Sequence, residues 1–167
     1  AIQDRYSFTV YKQASSLISH KGFIRKDFYT LHIRLDINND EIFSTFYKTI
    51  QQEIKKSLKE NTYTTVSHDI RTFLDFFNPF AQFKGIPSLS HKTLSSYGEA
   101  ILFTWIYQDT IPLAAHAYLI DNENSIVRLL YSATSPRNEK DKNFVARSNK
   151  RLHWHDICYF KERGFKI

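Results

Sequence analysis

Three extended segments joined by short turns constrain the fold of this 167-residue sequence more than any other feature. Residues 100–107, 114–120 and 126–133 are rich in β-branched and aromatic side chains. Asp109, Thr110 and Pro112 mark the first turn, and residues 121–124 (D-N-E-N) mark the second. Strands joined this closely pair antiparallel, because a parallel pair needs a crossover of a dozen or more residues. The sequence therefore predicts a largely antiparallel sheet.

Helical patterns surround these strands. Between residues 41 and 61 an apolar side chain recurs at every fourth position, which predicts one long amphipathic helix: Ile42, Phe46, Ile50, Ile54 and Leu58. Further helices are predicted at 70–83 after a capping Asp69, at 90–94, and at 147–163 before Gly164. Shorter strands are predicted at 6–11, 29–36, 63–66 and from 165 onward. The predicted fold class is mixed α/β, with helices flanking the sheet in one domain over residues 1–167.

The composition narrows the functional classes. One cysteine, Cys158, excludes an intrachain disulfide framework. The sequence contains neither an apolar run of about 18 residues nor a basic-then-apolar leader, which predicts a cytoplasmic protein without a membrane span. Lys and Arg outnumber Asp and Glu by 23 to 17, a balance that suits coenzyme A, nucleotide-linked sugars, lipid headgroups or tRNA, or that provides solubility alone. Because the chain starts at Ala1 and contains no Met, we expect it to be trimmed or a fragment.

Three segments, in chain order, carry a family resemblance. Residues 29–69 are predicted to form a strand, a helix whose core reads I-K-K-S-L-K-E-N, and a short strand. Residues 77–135 include "KGIPSLS" and the strand pair "HAYLID…RLLYSATS", and residues 147–167 read "RSNKRLHWHDICYFKERGFKI". Together they resemble the Fem-like branch of the GNAT acyltransferase superfamily, the aminoacyltransferase-type enzymes of peptidoglycan interpeptide bridges. The resemblance implies a GNAT-like domain.

The sequence departs from the GNAT pattern in two places. No glycine lies between Ser132 and Leu152, whereas the GNAT pyrophosphate loop is usually glycine-rich so that backbone amides can approach a phosphate. The chain also ends where the resemblance implies further strands, so we expect a C-terminally incomplete domain with an unpaired sheet edge.

Basic residues cluster where the last strand leads into the last predicted helix. The resemblance implies that this segment holds the phosphates of an acyl donor, at a helix N-terminus where free N–H groups attract anions. The predicted donor-binding residues are Arg137, Arg147, Ser148, Asn149, Lys150 and Arg151. The alternative is a solvated loop whose charge is diluted by Glu139 and Asp141.

Two residues are candidates for acid–base chemistry. His116 and Tyr131 lie on adjacent predicted strands, where a histidine could deprotonate an attacking amine and a tyrosine could protonate the leaving group. The alternative is that both are hydrogen-bonded core residues.

Other reactive side chains have simpler interpretations. His153 and His155 are two residues apart on a helix and point away from each other, so no metal site is predicted. Cys158 shares a helical face with Trp154 and Ile157, which predicts a buried, unreactive thiol. Lys55, Lys56 and Lys59 could hold an anionic acceptor or RNA, but the sequence favours a solvated helix face as their explanation.

The resemblance implies an acyltransferase of N-acetyltransferase or aminoacyltransferase type. Its substrate is an amine on an amino sugar or a cell-wall or polysaccharide precursor, with acyl-CoA or aminoacyl-tRNA as donor co-substrate and no tightly bound cofactor. Direct attack by the amine is expected, with a backbone amide stabilising the oxyanion. The alternative is a non-catalytic module that keeps the GNAT fold and binds anionic ligands. An RNA-binding domain is disfavoured, because no aromatic-plus-basic recognition motif is visible in the sequence.

Overall fold

A four-stranded antiparallel sheet forms the central layer of the residues that the structure describes. The architecture comes from a computed structural model of the chain that describes residues 31–135 and 142–167. The strands lie in the order β1 (Tyr63–Ser67), β2 (Ile101–Gln108), β3 (Ile111–Asp121) and β4 (Ile126–Thr134). The three predicted long strands are confirmed, and the turn between β2 and β3 places Asp109 at a φ of 52°. Among the described residues, no helix is long and apolar enough to cross a membrane.

Over residues 31–135 and 142–167, five α-helices and a short 3-10 turn, Gly98–Ala100, accompany the sheet. They are α1 (Asn39–Ser44), α2 (Lys48–Ser57), α3 (Ile70–Lys84), α4 (His91–Ser95) and α5 (Lys142–Glu162). Asp69 begins α3 by accepting hydrogen bonds from two first-turn N–H groups, and Gly85 ends it in the left-handed conformation at a φ of 66°. Both ends of α3 therefore follow from local sequence chemistry.

The alternation of side chains along the strands separates two layers of apolar contacts. On one face, α3 buries Phe73 and Phe77 against a layer from the sheet comprising Phe103, Trp105, Ala115, Ala117 and Ala133. On the other face, α5 buries Leu152 against Ile106 and Ala114, and Phe160 against Leu102 and Tyr118. The sheet is thus sandwiched between α3 and α5.

The prediction of one continuous helix at 41–61 is wrong, because the helix is interrupted between α1 and α2. Tyr47 is extended, with φ −55° and ψ 142°, and the Gln51 side chain donates to the Phe46 carbonyl. Residues 44–47 read S-T-F-Y, four residues of middling helix propensity. Phe43 and Phe46 both pack against Trp154 of α5, with ring centroids 4.9 and 6.0 Å apart. Weak local propensity together with this contact explains the break.

The predicted strand at 29–36 is not a strand over residues 31–36, its described part. Only Leu35 is buried there; Leu31 is 98% exposed. The Leu35 N–H donates to the Lys166 carbonyl, and Val127 N–H donates to Ile167 O. Residues 165–167 therefore run alongside the start of β4 without being a regular strand. The predicted strand at 6–11 lies outside the described residues.

Candidate functional site

A buried polar cluster lies between β3 and α5. We define it as His116, Tyr118, Asn149, His153 and Asp156. His116 and Tyr118 are two residues apart on β3, so they share one face of the sheet, and the other three residues recur at helical spacing on the facing side of α5. His116 is fully buried and Asp156 is 1% exposed. Two regular elements therefore hold these side chains in place.

The hydrogen bonds of the buried polar cluster converge on the Asp156 carboxylate. Asp156 Oδ2 lies 2.7 Å from His116 Nδ1 and accepts from the Tyr118 hydroxyl at 2.8 Å, while Oδ1 lies 3.2 Å from His155 Nδ1. On the other side of the imidazole, His116 Nε2 lies 3.0 Å from Asn149 Oδ1. Both ring nitrogens of His116 are therefore engaged by α5.

The protonation of Asp156 follows from these contacts. Burial raises the pKa of the carboxyl, but the hydrogen bonds from His116 and His155 and the nearby imidazole outweigh it, so the pKa lies below its usual value. Tyr118 responds in the opposite direction, because burial and the Asp156 charge raise the pKa of the phenol well above 10. The cluster therefore contains a charged carboxylate and a neutral phenol at neutral pH.

His153 lies at the margin of the cluster, with its ring centroid 4.1 Å from that of His116. Burial, followed by the influence of His116, lowers its pKa to about 4, against an opposing effect of Asp156. His153 is consequently neutral near pH 7 and presents an uncharged imidazole beside the buried pair.

The structure does not bring His116 and Tyr131 together. In the β3–β4 register His116 pairs with Ser132, whereas Tyr131 pairs with Ala117 and faces α3. The Tyr131 ring lies 5.5 Å from that of Phe77, and burial, followed by the nearby Tyr97, raises the pKa of its phenol. Because the two side chains lie on opposite faces of the sheet, they cannot act as base and acid on one bond.

The predicted start of the last helix is wrong: α5 begins at Lys142, five residues before Arg147. The N–H groups of Ser148, Asn149 and Lys150 therefore lie inside the helix and not at its free N-terminus, where an anion could reach them. The sequence does contain favoured N-cap residue types near this start, Asp141 and Asn143, so a local signal for the earlier start was available. Arg137 lies outside the described residues.

The basic side chains of α5 point at α2. Arg147 donates to Glu60 Oε1 through Nε at 3.1 Å and Nη2 at 2.6 Å, with side chains 15% and 18% exposed. Lys150 pairs with Glu53, and Arg151 Nη1 donates to the Ser57 carbonyl at 3.1 Å and to Thr62 Oγ1 at 2.5 Å. These three predicted donor ligands are thus engaged in holding α2 against α5.

The remaining two predicted donor ligands face inward. Asn149 is the contact of His116 Nε2 described above. Ser148 is fully buried, and its hydroxyl has no hydrogen-bond partner within the described residues.

Strand β4 has a bulge next to His116. The β3–β4 register shifts between Ala117 and Tyr118, so that Leu130 has no partner on β3. From Arg128 to Ala133, the outer edge of β4 receives no further backbone hydrogen bond from any described residue. As far as the structure describes the chain, the outer edge of β4 is therefore open at this bulge, on the strand next to the one that carries His116.

Sequence reasoning missed Tyr118 and Asp156 as members of this cluster. Polar residues spaced i, i+4 and i+7 on α5, between apolar positions, are the signal that could have found them: Asn149, His153 and Asp156. Their partner on β3 is 40 residues from Asp156, so only the packing of α5 on the sheet connects them.

Two other predictions concern reactive side chains. Cys158 is only partly buried, so the expectation of full burial is wrong, although burial and Glu162 do raise the pKa of its thiol. Over residues 31–135 and 142–167, no three His, Cys, Asp or Glu side chains are arranged to hold a metal ion.

The solved structures that resemble this chain include FemX and a lysylphosphatidylglycerol synthetase domain. FemX aligns over 80% of this chain and 50% of its own, with a TM-score of 0.61 and 13% identity. The C-terminal domain (DUF2156) of a putative lysylphosphatidylglycerol synthetase from Agrobacterium fabrum aligns over 74% of this chain and 42% of its own, with a TM-score of 0.50 and 10% identity. No protein-family model and no curated protein matches the sequence.

These comparisons confirm the predicted fold class. The chain has the fold of Fem-type, GNAT-like domains, a mixed α/β fold with an antiparallel sheet flanked by helices. The chain spans about half the length of FemX.

Proposed function

We propose that this chain is part of a Fem-like acyltransferase that transfers an acyl or aminoacyl group to an amine on an amino sugar or a cell-wall precursor. The observation that carries the proposal is the alignment with FemX over 80% of the chain at a TM-score of 0.61. A second similar structure belongs to a putative synthetase named for a lysyl-modified lipid. At 13% and 10% identity, these two alignments establish a shared fold. The reaction and the substrates of this chain are inferred from that shared fold.

The proposed reaction site is the outer edge of β4 beside its bulge. An acyl carbonyl lying along this edge would accept a hydrogen bond from an unpaired backbone N–H, which stabilises negative charge as the amine attacks. The amine nitrogen forms the new C–N bond, the ester or thioester bond breaks, and the amine proton leaves with the departing hydroxyl or thiol. The open edge between Arg128 and Ala133 supports this placement.

The donor's anionic groups are proposed to lie near the start of α5. Lys142 and Asn143 are exposed there, and first-turn N–H groups of a helix favour phosphate. This location replaces the one predicted around Arg147. Donor binding by Arg137 stays a prediction.

His116 is proposed to act as a positioning residue and not as the base. Its side chain is fully buried and both ring nitrogens are engaged, so it cannot reach an amine directly. Its contacts hold α5 at a set distance from β3, and α5 carries the proposed donor site.

A transfer assay tests the proposed function. The 167-residue chain is incubated with acetyl-CoA or with aminoacyl-tRNA, together with UDP-linked amino sugars and peptidoglycan precursors. We expect one acceptor to gain the mass of the acyl group, and the matching donor to raise the melting temperature by mass action. If neither donor nor any acceptor raises the melting temperature, the proposed function is wrong.

A second candidate is a non-catalytic module of the same fold that binds anionic ligands. It is favoured by the complete burial of His116, which removes the best acid–base candidate among the described residues from any substrate. A ligand that stabilises the chain at saturation without detectable transfer would favour this candidate.

A further inference from the structure

His153 differs from the other members of the buried polar cluster in its hydrogen bonding. His116 and Asp156 are hydrogen-bonded to each other, and Tyr118 and Asn149 are each hydrogen-bonded to one of these two. The His153 ring forms no hydrogen bond with any residue in 31–135 or 142–167, and its close ring contact is His116, 4.1 Å away between centroids. Packing alone therefore holds this imidazole in place.

Both ring nitrogens of His153 reach solvent. The side chain is partly buried, and neither nitrogen is among the buried atoms that lack a hydrogen-bond partner. Burial, followed by the influence of His116, lowers the pKa of His153 to about 4, so one nitrogen of the neutral ring carries a free lone pair near pH 7. His116, by contrast, is fully buried with both nitrogens engaged. His153 therefore offers a hydrogen-bond acceptor to a molecule outside the cluster.

The β3–β4 register places this acceptor beside the proposed reaction edge. His116 pairs with Ser132, and residues opposite each other on neighbouring strands point to the same face of the sheet. Ser132 belongs to the stretch from Arg128 to Ala133 whose outer edge receives no further backbone hydrogen bond from any described residue. The His153 ring, next to that of His116, therefore lies on the α5 face of the sheet beside β3, about 5 Å from β4, the spacing between strands.

The chemistry of a neutral imidazole selects the group that suits this position. Its unprotonated nitrogen accepts a hydrogen bond from an amine N–H, and the amine lone pair stays free to attack a carbonyl carbon. A carboxylate in the same place would favour the ammonium form of the amine, which has no lone pair for attack. A neutral histidine therefore suits a primary amine that has to react as a nucleophile.

We propose that His153 contacts the acceptor amine, accepting a hydrogen bond from its N–H and directing its lone pair toward the acyl carbonyl at the edge of β4. The new C–N bond forms on the substrate nitrogen, and His153 itself is not acylated. The inference rests on the proposed function where it names the reaction that this contact serves, whereas binding of an amine by His153 is measurable without that reaction.

A titration of the 167-residue chain with a primary amine tests the contact without catalysis. Glucosamine carries a free amine, and N-acetylglucosamine is the matched probe in which that amine is blocked. Proton–nitrogen correlation spectra of the imidazole rings report on each histidine. At pH 7 we expect glucosamine to shift a ring nitrogen of His153 and N-acetylglucosamine to shift neither. His91, exposed on α4, should not shift with either probe. No shift at His153, or equal shifts with both probes, would overturn the contact.

Transfer kinetics separate an amine contact from a purely structural role. His153→Leu removes the acceptor, His153→Gln retains an acceptor oxygen, and His91→Leu is the control. We expect His153→Leu to lower kcat/KM for the acceptor about a hundredfold, with KM for the donor unchanged, and His153→Gln to recover about tenfold of this loss. The control should transfer at the wild-type rate, and circular dichroism checks that all three variants keep the fold. Wild-type transfer by His153→Leu, or an acyl group attached to His153 during turnover, would overturn the inference.

Failure of this inference is distinguishable from failure of the proposed function. Transfer by the wild type with no glucosamine-induced shift at His153 keeps the proposed function and overturns the amine contact. A shift at His153 with glucosamine but not with N-acetylglucosamine, and no transfer from either donor, keeps the amine contact and contradicts the proposed function.

Discussion

Asp156 is the side chain on which the buried polar cluster depends. Its carboxylate is almost inaccessible to water, and its charge is balanced by hydrogen bonds from His116, His155 and Tyr118. A buried charge is tolerated only when its hydrogen-bonding capacity is satisfied in this way. Each partner of Asp156 therefore has a role in folding, whatever its role in function.

We predict that Asp156→Asn destabilises the fold by about 3–5 kcal/mol, the usual effect of removing one partner from a buried pair. The Asn amide has the same shape as the carboxylate, but its nitrogen cannot accept a hydrogen bond. Urea unfolding at pH 7 measures the loss. Asp75→Asn, at an exposed site on α3, should change stability by less than about 0.5 kcal/mol. Similar effects of the two substitutions would show that Asp156 is not a buried anchor.

His153 should make the stability of the fold depend on pH. Its pKa is lowered to about 4 in the folded chain, so between pH 6.5 and 4 the unfolded chain binds a proton that the folded chain does not. The free energy of unfolding should therefore fall as pH falls through this window, by about 3 kcal/mol at most. Urea unfolding of the wild type and of His153→Gln at several pH values measures this. The variant should lose most of this dependence, and matching pH profiles would contradict the assignment.

At the scale of secondary-structure elements, the interface between α2 and α5 determines which charged side chains of α2 face solvent. Ion pairs at its edges join the amphipathic α2 and the turn after it to α5, and beside it Trp154 of α5 packs against Phe43 of α1 and Phe46 of the α1–α2 connection. The same interface turns Glu53 and Glu60 inward and leaves the lysines of α2 exposed. The docking of one helix therefore determines the charge of the other helix's exposed face.

A double-mutant cycle with Glu60→Gln and Arg147→Gln should give a coupling energy of about 1–2 kcal/mol, because the pair is mostly shielded from water and the guanidinium makes two contacts. Stability to urea measures each corner of the cycle. The pair Arg34–Asp36, with side chains 68% and 45% exposed, is the control and should show much weaker coupling, because water screens an exposed ion pair. Equal coupling in both pairs would mean that the α2–α5 contact contributes no more than a surface pair.

At the scale of the whole molecule, the first and last described segments meet on the sheet. Leu35 N–H donates to Lys166 O, and Lys166 N–H donates to Ser125 O beside β4. Phe165 packs against Phe160 with ring centroids 5.8 Å apart. Residues 165–167 thus connect the segment before α1 to the edge of the sheet.

Phe165→Ala should destabilise the fold by about 2 kcal/mol, less than the 3–5 kcal/mol of a fully buried ring because Phe165 is partly exposed. The N–H groups of Leu35 and Val127 should also exchange faster with deuterium, since their acceptors lie next to this ring in sequence. Phe83→Ala, at a side chain 77% exposed, should leave both measurements nearly unchanged. Unchanged exchange at Leu35 in Phe165→Ala would show that the ring does not hold this segment in place.

The sequence by itself determined the features whose causes are local. The strands of the antiparallel sheet, the turn at Asp109 and both ends of α3 follow from alternation, turn residues and capping within a few positions of each other. The resemblance to Fem-like proteins correctly predicted the fold class, since the order of such elements is readable along the chain.

Only the tertiary structure decided what the polar residues do. Arg147 is 87 residues from Glu60, and His116 is 40 from Asp156, so neither contact has a local signal. The interruption between α1 and α2 lies at S-T-F-Y, four residues of middling helix propensity. There the Trp154 ring of α5 packs against the rings of Phe43 and Phe46. A side chain's periodicity predicts the face on which it lies, but its partner depends on which element covers that face. For that reason the cations of α5 that were expected to hold a ligand instead pair with glutamates of α2 and of the turn that follows it.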